Sequence, residues 1–199
     1  MFDRKYKFAV LLIAVLLVLG LTLPACTCQK PTETEKPPAT PGQQAETEKP
    51  PALSFEAAEY VNTDYGFSVK YPKDWKETTA ISGPGVLFVA QAPAQVPVLI
   101  VNVAEGATLT DAVTAAVEGA GGSDVTIKSQ SETTLADGTK ATQGTGKYKH
   151  PMAPMAIDAF VLGVKKDNKW IIVTVATVGL LAKFDEAKFS EIAHTLEFK

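Results

Sequence analysis

Soft-metal chemistry in this chain is concentrated in one hexamer, His150-Pro151-Met152-Ala153-Pro154-Met155. It contains both methionines beyond the initiator, directly after one of the two histidines. Thioether and imidazole ligands suit Cu(I). In an extended chain His150 and Met152 project to one side, and Met155 comes round after Pro154. A metal-handling reading therefore places Cu(I) on His150, Met152 and Met155. The plainer reading is a proline-kinked connection whose flexible methionines plug apolar gaps.

Other chemistry is thinly supported. Gly144-Thr145-Gly146-Lys147 echoes a phosphate loop, but the first glycine at P-loop spacing and the hydroxyl residue after lysine are missing. It also falls inside a strand pattern, so no nucleotide-binding residue is assigned. No Gly-x-Ser-x-Gly elbow occurs, and no spacing sets His150 or His194 beside a serine and a carboxylate. His194 is read as a partner of a helix C-terminus. Asp158 lies in the apolar run Ile157 to Val164, where a carboxylate needs a partner or a route to solvent. No catalytic residue is assigned, and a hydrolase ranks third behind binding and metal handling.

Composition narrows the classes further. From Leu53 to Lys199 the chain carries 13 lysines and 17 acidic residues, a net charge of −4. Nucleic-acid binding needs a basic stripe, which this segment lacks. Both cysteines, Cys26 and Cys28, precede it. The segment must therefore be held by packing alone, without disulfides or thiolate zinc sites. At 147 residues it suits one domain with an unaided core.

The N-terminus reads differently. Arg4, Lys5 and Lys7 precede a nearly unbroken apolar run of 16 residues, Phe8 to Leu23. That is short for a membrane-spanning helix, which needs about 20 residues, and suits a signal-peptide core. An uncleaved anchor starting at Tyr6 is the competing reading. The run ends in Leu23-Pro24-Ala25-Cys26, which resembles the lipobox of bacterial lipoproteins. That resemblance implies a signal peptide over residues 1–25, a lipid-modified Cys26, and a protein held on the extracytoplasmic side of a cell membrane. Multiple acyl chains make such an anchor stable. Residues 26–52 then form a tether: Gln29 to Ala52 holds six of the chain's 13 prolines and no aliphatic residue larger than alanine. A heptamer, Glu33 to Ala39, repeats at Glu46 to Ala52. Such a segment has nothing to bury and stays unfolded.

The domain, residues 53–199, opens on Tyr65-Gly66-Phe67-Ser68-Val69-Lys70-Tyr71-Pro72-Lys73-Asp74-Trp75. Phe67, Val69 and Tyr71 alternate with polar residues as in a half-buried strand. Pro72 ends it, and Trp75 folds back over its end. This run resembles the opening of PsbP-like domains, a superfamily that includes an extrinsic photosystem II protein and many bacterial lipoproteins. The yeast import factor that binds the Ran GTPase shares their fold. The resemblance implies an α+β fold: a central antiparallel sheet of six to eight strands with helices on its faces. It also implies a binding or complex-assembly role without catalysis, with a protein partner in or at the membrane. Nothing in the residues identifies a photosynthetic host, and no metal ligands carry over.

Local patterns support that fold independently. Val86 to Gln91 and Val98 to Ala104 read as strands, with Leu99, Val101 and Val103 on one face. Thr108 to Glu118 reads as a helix capped by Thr108 with Asp111 and ended by Gly119 to Gly122. A meander of four strands follows, turning at Asp137-Gly138 and Asp167-Asn168. Met155 to Lys165 and Trp170 to Val178 are apolar on both faces and should be central. Asp185 opens a last helix with Phe189, Ile192, Ala193 and Leu196 on one side.

Overall fold

The computed structural model describes residues 52–153 and 155–199. The leader, Cys26 and the tether lie outside them. The first turn forms because the Tyr65 N–H donates to Asn62 Oδ1 at 3.0 Å and Gly66 takes a positive φ of 65°. It joins β1 (Ala57–Asn62) to β2 (Phe67–Pro72), and a short final strand, β10 (Glu197–Phe198), pairs with the other edge of β2. These three make a small sheet of their own.

The large sheet has seven strands. They are β3 (Lys76–Glu77), β4 (Val86–Gln91), β5 (Val98–Glu105), β6 (Ser123–Thr134), β7 (Lys140–Lys149), β8 (Ile157–Lys166) and β9 (Lys169–Val178). Their spatial order is β3-β4-β5-β9-β8-β7-β6, every pair antiparallel. β8 and β9 occupy central positions, as their two-sided apolar character predicts. The Asp137-Gly138 turn closes with the Leu135 N–H on Thr139 O at 2.9 Å, and Gly138 supplies a φ of 85°.

Two helices complete the fold. In α1 (Leu109–Gly119) the Asp111 N–H donates to Thr108 Oγ1 while the Thr108 N–H donates to Asp111 Oδ2. This reciprocal cap satisfies donors that a helix start leaves unpaired. In α2 (Glu186–Ala193) Asp185 caps the Lys188 N–H.

Strand alternation divides the core between the two faces of the large sheet. On one face Leu99, Val101, Phe160, Leu162, Ile171, Val173 and Val175 meet Phe67, Val69 and Tyr71 of the small sheet and Phe189, Ile192 and Leu196. Tyr60 stacks on Phe88 with ring centroids 4.3 Å apart. Trp75 is buried here, over the end of β2. Each such large side chain contributes roughly 1.5–3 kcal/mol on burial. On the other face Leu109, Ala112 and Val113 of α1 pack on Val161, Trp170 and Ile172. Among the described residues, every member of both cores lies between Phe55 and Phe198.

The small sheet is the main departure from the expected architecture. Helix α2 shares its face of the large sheet with β1, β2 and β10, so that layer is mixed rather than helical. The reason is β2: its residues Phe67 to Val69 are all buried. It therefore packs face-on against the large sheet instead of extending its edge.

Candidate functional site

Helix α1 covers its face of the large sheet only in part. Its first turns are filled by Leu109, Val113 and Trp170, with the Trp170 Nε1–H donating to Gly106 O at 3.0 Å. Further along, Ala116 and Ala120 face small residues on the sheet, Gly146 and Ala159. Ile127 of β6 lies over Gly146, and the space between α1 and the sheet is bounded there by its side chain. The result is a cavity of about 460 Å³ walled by α1, β5, β7, β8 and β9 and by the loops at Ala80–Ser82 and Met152–Ala153. Val98, Ile100, Ile172, Ile127, Ile157 and Val178 make its surface mainly apolar, and no lysine, arginine, aspartate or glutamate lines it.

Several polar side chains interrupt the lining, Gln91 of β4 and Gln95 and Ser82 of the loops among them; two lie deepest on the sheet. Asn102 on β5 is 6% exposed and Thr174 on β9 is 8% exposed. Both line the cavity. Asn102 is directly across from Ile172 and Ile100 from Thr174, so the two polar side chains are diagonal neighbours on one face. Tyr148 of β7 also faces the cavity, where burial pushes its phenol up to about 12. At neutral pH it is a hydrogen-bond donor.

His150 stands at one wall, held by two hydrogen bonds. Its Nε2–H donates to Ala120 O at 3.0 Å, and its Nδ1 accepts the Met152 N–H at 3.2 Å. Both ring nitrogens are thus engaged, in the neutral Nε2–H tautomer. The ring pins the loop after β7 to the end of α1. Met152 reaches the cavity rim and is 83% exposed, while Met155 is 48% exposed. A Cu(I) ion on His150, Met152 and Met155 would have to displace one of the imidazole's hydrogen bonds. Among the described residues no cluster of three His, Cys, Asp or Glu side chains is placed to hold a metal ion.

The remaining sequence candidates take structural places. Gly144 to Lys147 lies within β7. A Cβ on Gly146 would stand 2.7 Å from Thr126 O, so this glycine admits the close approach of β6. Asp158 is directly across from Lys147 and pairs with its Nζ at 2.5 Å. His194 caps α2: its Nδ1–H donates to Ser190 O at 2.8 Å. A nitrogen already donating a proton cannot take one from Ser190 Oγ, 3.1 Å away, so this pair is not an activated nucleophile.

Asn102 and Thr174 were not among the sequence candidates. Each is a lone polar residue between two valines in a strand pattern, Val101-Asn102-Val103 and Val173-Thr174-Val175. An inward polar residue amid apolar neighbours is the signal that was there to find.

An antiparallel α+β domain with a sheet-and-helix layer on one side and a single helix on the other is the class these features define. It is similar to the solution structure of the cyanobacterial PsbP, CyanoP, from Synechocystis sp. PCC 6803, with a TM-score of 0.52 and 17% sequence identity. The match covers 72% of this chain and 92% of that one. The fold is therefore PsbP-like, as the residues Tyr65 to Trp75 led one to expect. No protein-family model and no curated protein matches the sequence.

Proposed function

We propose that this chain is a non-enzymatic binding module, held by lipid on Cys26 at the extracytoplasmic side of a membrane. One observation carries the binding reading: a cavity of about 460 Å³ with a mainly apolar, uncharged lining into which a few polar side chains, Asn102 and Thr174 among them, are placed. Pockets of roughly 300–1,000 Å³ lined by apolar residues with a few placed polar groups are typical of small-molecule sites. General acid–base or nucleophilic chemistry needs an activated group in the site. Here the one imidazole at the wall has both nitrogens engaged.

The location rests on the sequence, through the basic start, the apolar run and Leu23 to Cys26. The tether lets the domain stand off from the membrane, within reach of a partner there. The test is fractionation of the full chain with acyl labelling, alongside crosslinking and mass spectrometry of what it holds in native membranes. Label on the wild type, its loss in Cys26→Ala, and a captured partner or extracted small molecule are the expected results. Label that persists in Cys26→Ala removes the anchor. Turnover of a hydrolase substrate that disappears in Asp158→Asn removes the non-enzymatic reading.

A further inference from the structure

We infer that the cavity beneath α1 receives a neutral, mainly apolar small molecule carrying one hydroxyl or carbonyl group, which meets Asn102 and Thr174. This rests on the binding-module reading and names its ligand class.

Neutrality follows from the walls. No charged side chain lines the cavity, so an ionised ligand loses its hydration and gains no opposite charge. The apolar body follows from Val98, Ile100, Ile127 and Ile172; a sugar or nucleotide would face these with polar groups left unpaired. The hydroxyl or carbonyl follows from the floor. Asn102 and Thr174 are diagonal neighbours on the sheet face that lines the cavity, so a ligand that shuts water out of it must offer them a polar group or leave them unpaired. One ligand hydroxyl can accept from Asn102 Nδ2 and donate to Thr174 Oγ1, so a single small group answers both. Tyr148 adds a further donor on the adjoining wall. At the rim, Met152 supplies a flexible apolar side chain that adapts to differently shaped ligands.

The test uses the full chain and, beside it, residues 53–199, which hold every described residue of both cores and whose folding is checked by thermal melting. The probe is the neutral dye N-phenylnaphthylamine, with dodecanol and dodecanoate as competitors of equal chain length. Saturable dye fluorescence is expected, with dodecanol displacing the dye at an about tenfold lower concentration than dodecanoate. Asn102→Leu with Thr174→Val should weaken dodecanol about tenfold while dye binding remains. Ala116→Trp, which fills the cavity from α1, should abolish binding; Ala153→Trp, in a loop outside both cores, is the second blocking variant should the first not fold.

Each failure has a distinct meaning. A folded domain that binds no dye overturns this inference and the small-molecule reading together. Dye binding untouched by a folded blocking variant places the dye elsewhere and overturns the site. Displacement by dodecanoate as readily as by dodecanol overturns the neutral class and leaves the binding module standing. Dye binding by residues 53–199 but not by residues 27–199 makes the tether the occupant and overturns the inference.

Discussion

The carboxylate of Asp137, in the turn between β6 and β7, accepts the backbone N–H of Phe198 at 2.7 Å across 61 residues of sequence. Its other oxygen accepts the Thr139 N–H at 2.8 Å. One side chain thus closes a hairpin of the large sheet and fastens the last strand of the small one.

Burial alone would raise the carboxyl of Asp137, but the N–H donors of Phe198 and Thr139 outweigh it and hold it below its ordinary value of 3.8. With its folded value depressed, Asp137 contributes stability that is present above the unfolded value and lost as pH falls through the folded one. Asp137→Ala should cost about 1 kcal/mol at neutral pH. Chemical denaturation below pH ~4 should show a smaller loss of stability for the variant than for the wild type.

Tyr148 gives the opposite end of the scale. Its folded value, pushed by burial to about 12, stands above the ordinary 10.0. Its contribution is therefore intact below pH ~10 and lost as pH rises toward the folded value, over a range worth roughly 3 kcal/mol. Burial and the Glu77 carboxylate also raise Tyr71, so ultraviolet titration should show more than one late-ionising tyrosine, of which one disappears in Tyr148→Phe, and Tyr148→Phe should resist alkaline unfolding better than the wild type.

The Lys147–Asp158 pair joins neighbouring strands with the lysine side chain 60% exposed. Exposed pairs contribute about 0–1 kcal/mol. Asp158→Asn should lower stability within that range and leave the binding of N-phenylnaphthylamine unchanged. A loss of several kcal/mol in denaturant titration would contradict the surface placement of the pair.

Copper offers a further check. Because His150 already donates to Ala120 O and accepts from the Met152 N–H, Cu(I) affinity measured against a competing chelator should be the same in wild type and in Met152→Ala/Met155→Ala. His150→Ala should instead lower thermal stability, by about 1 kcal/mol, because it unpins the loop after β7 from α1. A large affinity loss in the double variant would support the metal-handling reading.

Features settled over short distances were written in the sequence. The Thr108–Asp111 cap, the Asp137-Gly138 turn, the start of α2 at Asp185 and the two-sided apolar strands β8 and β9 each depend on a few neighbouring residues and on strand or helix period. Those local rules were enough to specify antiparallel hairpins, two helices and an α+β class.

What only the tertiary structure decided depends on register and on layers. That β2 leaves the large sheet to form a layer above it follows from which face Phe67 to Val69 must bury. That Lys147 meets Asp158, and that Asn102 stands diagonal to Thr174, follows from pairings between residues 11 and 72 positions apart. The cavity is the clearest case. Ala116, Ala120, Gly146 and Ala159 are unremarkable residues in three separate elements. Only when α1 is laid across the sheet do these residues come to line one space.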